Sequence, residues 1–237
     1  MKRIWVTRPE GQQAPLVALL ERAGFKAVVQ SSLQLEALPI SPEDKERLIN
    51  IDNYQAVFFV STNAVRYALK VLEDYWPQWP VGVNWLAVGD ATAKALSAAG
   101  FVPQWPESGF NSEAALAMPS LQQMEGQKVL ILRGETGREL FTDTLRARGA
   151  TVERIPLYRR RCHPSLKWPS PAPDAVMVTS VESWHCIQQC GGAKLHDTLI
   201  IAGSERIAQA IHEMGFKSVV AASPHDEDMV GCLKQHR

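Results

Sequence analysis

The chain has 237 residues, 46% of them hydrophobic, which is enough to bury a core in one domain or in two. Its 25 Lys and Arg residues balance its 25 Asp and Glu residues, so the net charge of zero favours neither a nucleic-acid nor a membrane-surface partner. No apolar stretch approaches the roughly 18 residues of a membrane-spanning helix, and Met1-Lys2-Arg3 leads into a predicted strand without a signal-peptide core. We therefore expect a soluble, cytoplasmic protein.

Short apolar runs recur along the chain and are continuous rather than alternating, as expected for parallel strands covered on both faces. In chain order they are residues 4–6, 57–60, 85–88, 129–132, 176–178 and 199–202. Apolar residues at helical spacing lie between them. Glycines follow these periodic segments, where a left-handed residue commonly ends a helix, at Gly24, Gly100, Gly149 and Gly215. The alternation predicts an α/β fold with doubly wound parallel sheets.

The two halves of the chain resemble each other. The matched segments are 3–10 with 128–135, 56–61 with 175–180, and 86–89 with 200–203. A repeat unit of this length is too long for a solenoid and predicts two similar α/β domains. Two such domains that face each other would form a cleft, and a cleft suggests a ligand.

Two segments, 31–38 and 155–173, interrupt the alternation and are interpreted as linkers. Both follow the second strand of a repeat. If they pair as a two-stranded ladder, the chain leaves the first domain, builds the second, and returns. The first domain would then be discontinuous, with residues 1–35 and 164–237, and the inserted domain would span 38–161. The pattern alone does not choose this arrangement over two simple halves.

Small, hydroxylic or glycine-containing turns follow the predicted strands at their carboxyl ends, where open α/β sheets bind ligands. N–H groups at a helix start carry partial positive charge and bind carboxylates or phosphates, so several such turns would suit a polyanion. For any one serine, the alternative is that it only caps its own helix. The candidate binding residues are Arg8, Ser61, Thr62, Asn63, Gly89, Thr92, Arg133, Gly134, Ser180, Gly203 and Ser204, with a further turn at 109–112.

Several common chemistries lack their motifs. Neither a dinucleotide-binding Gly-x-Gly-x-x-Gly nor a phosphate-binding P-loop is present, so the fold implies no cofactor here. Cys162, Cys186, Cys190 and Cys232 form no Cys-x-x-Cys pair, and we interpret all four as reduced. His185 with Cys186 and Cys190 could ligate a metal on one helix, but no second ligand pair supports such a site.

Five motifs in chain order resemble those of the uroporphyrinogen-III synthase family, and together they cover essentially the whole chain. They are Val6-Thr-Arg-Pro9, Phe59-Val-Ser-Thr-Asn-Ala-Val65, Val88-Gly-Asp-Ala-Thr-Ala-Lys-Ala-Leu96, Arg133-Gly-Glu-Thr-Gly-Arg138, and the segment from Gly149 to Tyr158-Arg-Arg160. The resemblance implies two α/β domains joined by a two-stranded ladder, the first of them discontinuous. The turn at 203–206 departs from the matching turn at 89–92.

The resemblance also implies a reaction: linear hydroxymethylbilane is cyclised to uroporphyrinogen III, with inversion of the last pyrrole ring, loss of water and no cofactor. The adjacent pyrrole nitrogen helps hydroxide to leave, and the substituted carbon of the last ring attacks the resulting azafulvene through a spiro intermediate. The enzyme must supply one proton donor and a conformation that favours this path. Tyr158 resembles the family tyrosine often proposed as that donor. The alternative is an amphipathic tyrosine on a linker strand.

We expect a monomer that binds hydroxymethylbilane as its small-molecule substrate. Neither nucleic acid nor a membrane is expected as a partner. Transient docking of the preceding pathway enzyme stays open. The competing hypothesis is a two-domain clamp that senses a tetrapyrrole or another polycarboxylate without turning it over. Such a sensor would share every binding residue and lack only the chemistry.

Overall fold

The computed structural model describes residues 1–109, 111–137 and 139–236. Phe110, in the candidate turn at 109–112, and Arg138, in the fourth motif, lie outside the described residues. Within these ranges, no helix is long and apolar enough to cross a lipid bilayer.

Strands and helices alternate along most of the chain. The strands are β1 (Arg3–Val6), β2 (Lys26–Val29), β3 (Leu33–Ala37), β4 (Ala56–Phe59), β5 (Asn84–Ala87), β6 (Pro103–Gln104), β7 (Lys128–Gly134), β8 (Thr151–Cys162), β9 (Ala175–Val178), β10 (Leu199–Ala202) and β11 (Val219–Val220). The helices are α1 (Ala14–Arg22), α2 (Pro42–Ile49), α3 (Thr62–Tyr75), α4 (Asp90–Ala98), α5 (Ser112–Leu116), α6 (Leu140–Ala147), α7 (Val181–Gly191), α8 (Glu205–Glu213) and α9 (Asp226–Gln235). Short 3-10 turns cover Ile51–Asn53, Pro119–Leu121 and Gly192–Asp197.

The chain forms two compact units, one of Met1–Leu35 with Arg160–Arg237 and the other of Glu36–Arg159. The first unit contains a sheet of order β11-β10-β9-β1-β2, in which the strands pair in parallel. The second sheet has the order β3-β8-β7-β4-β5-β6, and its pairs from β8 to β6 are parallel. The predicted α/β fold with two parallel sheets is confirmed.

The two segments interpreted as linkers lie side by side. Strand β3 is the neighbour of β8 in the second sheet. Leu38 N donates to Leu157 O at 3.0 Å, and His163 N donates to Ser32 O at 3.0 Å. That residues 38–161 fold as an independent domain stays a prediction.

Both faces of the central strands are covered, which explains why their sequences are continuously apolar. Successive residues of a strand point to opposite faces, yet Phe58 and Phe59 of β4 are both fully buried. Phe58 stacks on Phe141 of α6 at 3.9 Å between ring centroids, whereas Phe59 meets Phe101 at 6.1 Å. The glycines predicted as helix stops have positive φ and follow α1, α4, α6 and α8, at Gly24, Gly100, Gly149 and Gly215.

The structure corrects the interpretation of the cysteines. Cys162 at the end of β8 and Cys186 in α7 form a disulfide, so the prediction that all four are reduced is wrong for this pair. The prediction rested on spacing along the chain, whereas the fold brings two cysteines 24 residues apart to a Cα–Cα distance of 5.3 Å. Cys190 and Cys232 are free, and burial raises the pKa of both thiols.

The disulfide also bears on the metal hypothesis. A disulfide sulfur is not a thiolate and is no longer available as the Cys186 ligand. Among the described residues, no group of three or more His, Cys, Asp or Glu side chains is arranged to hold a metal ion.

A charged cluster surrounds Glu153 on β8. Its carboxylate accepts a short hydrogen bond from Tyr54 and pairs with Arg47 Nε at 3.0 Å and Lys128 Nζ at 3.3 Å. Burial opposes ionisation of the carboxyl, but the hydrogen bonds from Tyr54 and Lys128 and the charges of Lys128 and Arg47 outweigh it and lower the pKa of Glu153. The desolvating surroundings and the bond to Glu153 raise the pKa of Tyr54.

This cluster predicts a pH-dependent contribution to stability. A carboxyl group with a lowered folded pKa stabilises the fold fully above its unfolded pKa of about 4.3, and this contribution is lost as the pH falls through the folded value. We expect Glu153→Gln to lower the free energy of unfolding by about 1 kcal/mol at pH 7, and by progressively less toward pH 3. Urea titrations across this range measure the difference.

The matched control is Glu43→Gln, because Glu43 also pairs with Arg47, at 2.6 Å, but its side chain is 74% exposed. An exposed pair is screened by water, so this substitution should change the free energy of unfolding by less than about 0.5 kcal/mol. Equal losses for the two variants, or a Glu153→Gln deficit that grows toward acid pH, would contradict the account.

Candidate active site

Tyr158 lies on β8 at the carboxyl edge of the second sheet, and its side chain is 3% exposed. Its Oη lies 3.0 Å from Ser61 Oγ, in the turn between β4 and α3. Its ring stacks on Tyr67 of α3, with 5.3 Å between centroids and 18° between planes. The structure therefore brings two of the predicted site residues, Tyr158 and Ser61, into direct contact.

An irregularity in strand pairing aims Tyr158 at this position. Arg133 pairs with Pro156, but Gly134 pairs with Tyr158, so β8 has one extra residue between them. Proline lacks the N–H that a regular ladder uses and is commonly found at such bulges, which redirect the side chains that follow. Past the bulge, Glu135 N donates to Tyr158 O at 2.7 Å, which fixes the backbone there.

Gly134 lets the Tyr158 ring approach the backbone of β7. A Cβ atom at Gly134 would lie 3.1 Å from Cε2 and Cζ of Tyr158 and 3.3 Å from its Oη. These distances are shorter than ordinary van der Waals contacts. Gly134 was predicted to bind substrate, and the structure places it against Tyr158.

The serines of the matched turns act as helix caps. Ser61 Oγ accepts from Ala64 N at 3.1 Å at the start of α3, and Ser180 Oγ accepts from Ser183 N at 3.0 Å at the start of α7. The capping alternative therefore holds for both residues, and for Ser61 it coexists with the contact to Tyr158. At the start of α8, Ser204 makes no capping side-chain bond to the described residues.

The other candidate residues also lie at helix starts. Thr62 is exposed and Asn63 is half-buried in the first turn of α3. Gly89 is the N-cap of α4, and Thr92 is buried within that helix. Gly203 N donates to Val178 O at 2.9 Å just before α8. These residues therefore lie in or just after the turns that follow β4, β5 and β10, and their role in binding stays a prediction.

Both predicted arginines are paired with acidic side chains. Arg8 Nη2 lies 2.6 Å from Asp226 Oδ1, and Arg133 Nη1 lies 3.0 Å from Glu139 Oε1. Arg133 is 7% exposed. A substrate carboxylate that binds at either arginine would therefore share the guanidinium with the carboxylate of Asp226 or Glu139, or displace it.

A hydroxyl network that the sequence did not predict holds α7 in the first unit. Ser32 Oγ lies 2.6 Å from Ser183 Oγ and donates to Thr7 O at 3.1 Å, and Thr7 Oγ1 donates to Met177 O at 2.6 Å. The three hydroxyl residues are buried. Since Ser183 N donates to Ser180, the network fixes the start of α7 against the ends of β1 and β9.

Tyr67 and its cationic neighbours were likewise not predicted from the sequence. Arg66 Cζ lies 4.9 Å, and Lys70 Nζ 5.3 Å, from the centroid of the Tyr67 ring. The available signal was a tyrosine among the apolar residues of the buried face of α3, because a buried tyrosine hydroxyl usually needs a partner.

Comparison with known proteins identifies the family. The family model described as uroporphyrinogen-III synthase HemD matches residues 14–231. The chain belongs to the uroporphyrinogen-III synthase family. The resemblance inferred from the five motifs is thereby confirmed.

Two relatives are similar to this chain over most of its length. A uroporphyrinogen-III synthase of Salmonella typhimurium is 31% identical over 245 residues, and one of Escherichia coli is 32% identical over 238 residues. Each alignment covers 95% of this chain and 96% of the relative.

Solved structures of uroporphyrinogen-III synthases share the fold. The protein of Helicobacter pylori aligns with a TM-score of 0.68 at 16% identity, and the alignment covers 100% of this chain and 99% of the Helicobacter pylori chain. A mutant protein of Thermus thermophilus aligns with a TM-score of 0.63 at 19% identity, and the alignment covers 99% of this chain and 98% of the Thermus thermophilus chain. The two α/β units are therefore the fold of the uroporphyrinogen-III synthase family.

Proposed function

We infer that this protein cyclises hydroxymethylbilane to uroporphyrinogen III, with loss of water and inversion of the last pyrrole ring, in tetrapyrrole biosynthesis. The observation that carries this inference is the family match over residues 14–231. The contact between Tyr158 and Ser61, at 3.0 Å, adds a pair of hydroxyl groups that can supply a proton.

We propose Tyr158 as the source of that proton. The pyrrole nitrogen pushes electrons toward the hydroxymethyl carbon, so the carbon–oxygen bond needs only a modest acid in order to break. A tyrosine hydroxyl has one proton to donate. The proton returns to Tyr158 when the reacting pyrrole carbon loses a proton after ring closure, and the reaction therefore consumes no acid overall.

We propose that helix starts in each unit bind the carboxylates of the substrate. The turns there carry glycine or short hydroxyl side chains, which let an anion reach the first-turn N–H groups. Ser61 Oγ and Ser180 Oγ each accept from one such N–H group, that of Ala64 and of Ser183 respectively. The proposed binding residues are Arg8, Ser61, Thr62, Asn63, Gly89, Thr92, Arg133, Gly134, Ser180, Gly203 and Ser204.

We further propose that the protein works as a cytoplasmic monomer and meets the preceding pathway enzyme only transiently. The reaction neither oxidises nor reduces the substrate, so no redox cofactor is required by its chemistry. A non-catalytic sensor of tetrapyrroles is the second candidate. Turnover of freshly prepared hydroxymethylbilane by the purified protein separates the two, because a sensor leaves only the spontaneous product, uroporphyrinogen I.

A further inference from the structure

Ser61 is the shared partner of the α3 backbone and the Tyr158 hydroxyl. Its Oγ accepts from Ala64 N at 3.1 Å and lies 3.0 Å from Tyr158 Oη. A serine hydroxyl has one proton to donate and two lone pairs that accept. If Tyr158 donates to Ser61, both lone pairs are used and the Ser61 proton is left for another partner. If Ser61 donates instead, the Tyr158 proton is the one left.

The exposure of the two residues favours the first direction. Tyr158 is 3% exposed and its ring is covered by Tyr67, whereas Ser61 is half-buried in the turn between β4 and α3. A ligand that arrives from solvent reaches the more exposed residue first. The available proton is therefore the one on Ser61, and Tyr158 stands behind it as a second donor.

We propose that Ser61 passes the proton of Tyr158 to the departing hydroxide, a role that rests on the proposed function. The carbon–oxygen bond of the hydroxymethyl group breaks, and the oxygen leaves as water with the Ser61 proton. Ser61 Oγ takes the Tyr158 proton in the same step, so the negative charge rests on a phenolate rather than on a serine alkoxide. The proton later lost from the reacting pyrrole carbon returns through Ser61 to Tyr158 and restores both hydroxyls.

Tyr67 and Gly134 act as positioning residues in this relay. The stack with Tyr67 fixes the plane of the Tyr158 ring, and the missing Cβ of Gly134 leaves room for its Cε2 and Cζ atoms. A proton moves along a hydrogen bond only when donor and acceptor stay within about 3 Å. We expect Tyr67→Leu to lower kcat by about tenfold and Tyr67→Phe, which keeps the stacked ring, by less than about twofold.

A double-mutant cycle on kcat tests the relay. Ser61→Ala and Tyr158→Phe should each lower kcat by about 10²- to 10⁴-fold, because each breaks the same proton path, and Tyr158→Phe should change KM by less than about threefold. The double variant should be no more than about threefold slower than the slower single variant. Ser61→Thr keeps a hydroxyl on the same carbon and should retain kcat within about fivefold.

Ser41→Ala is the matched control, since Ser41 Oγ also caps a helix of this unit by accepting from Asp44 N at 3.0 Å. It should lower the melting temperature as Ser61→Ala does and leave kcat unchanged. If Ser61→Ala does not fold, Ser61→Gly replaces it, because glycine keeps most of the N-cap stability.

The possible failures are distinguishable. Multiplicative losses in the double variant would overturn the relay, as would wild-type kcat for Ser61→Ala beside a slow Tyr158→Phe, and both leave Tyr158 as the donor. Wild-type kcat for Tyr158→Phe would overturn the donor assignment itself. An inactive wild-type protein would overturn the proposed function.

Discussion

Tyr158→Phe should lower kcat by about 10²- to 10⁴-fold, the range typical of a lost general acid. The substitution removes the hydroxyl that lies 3.0 Å from Ser61 and keeps the ring that stacks on Tyr67. The loss should therefore appear in kcat with little change in KM. The product should remain the inverted isomer, because the proton donor acts on the breaking of the carbon–oxygen bond and not on the conformation of the bound linear substrate. Single-turnover kinetics measure the rate of the reaction, and isomer analysis measures the composition of the product.

Tyr75→Phe is the control for loss of a phenol hydroxyl elsewhere in the same unit. Tyr75 ends that helix, and its ring lies 5.4 Å from Lys45 Nζ, in a separate contact. Its substitution should leave kcat unchanged. A Tyr158→Phe variant as fast as this control would show that the proton comes from elsewhere, such as water or the substrate's own carboxyl groups.

Gly134→Ala should impair both stability and turnover. The new methyl group would lie 3.1 Å from two ring atoms of Tyr158, and Tyr158 is packed on Tyr67, so the ring must move or the strand must shift. Overpacking of this kind costs about 1–3 kcal/mol. Displacement of the hydroxyl from Ser61 should lower kcat by about 10- to 100-fold. Thermal melts and steady-state kinetics on one preparation give both numbers.

Gly231→Ala is the matched glycine control. Gly231 lies inside α9, and a Cβ atom there meets nothing within 4 Å. Alanine at an unstrained helix position should be neutral or stabilise the protein by up to about 1 kcal/mol, with kcat unchanged. If Gly134→Ala behaved like this control, the close approach of Tyr158 to β7 would contribute to neither stability nor kcat.

The sequence predicts the fold well because its determinants are local. The strand between 57 and 60 is recognisable because residues on both of its faces are buried, as Phe58 and Phe59 illustrate. The helix stop at Gly149 is recognisable because a positive φ of 87° favours glycine over other residues. Neither inference needs information from another part of the chain.

The site is less predictable because its geometry joins distant segments. The position of the Tyr158 side chain depends on a bulge opposite Arg133 and Gly134, for which Pro156, in the segment interpreted as a linker, was the available signal. Arg8 forms an ion pair with Asp226, which lies near the other end of the chain. The contact of Cys162 with Cys186 likewise exists only after the fold has formed.

The isomer composition of the product tests the central claim most directly. Freshly prepared hydroxymethylbilane is incubated with the purified protein or with buffer, and the uroporphyrinogens are oxidised and separated by chromatography. The account predicts uroporphyrinogen III as the main product with the protein and uroporphyrinogen I with buffer alone. If uroporphyrinogen I formed at the buffer rate in the presence of the folded protein, the chain would be a binding module and not a cyclising enzyme.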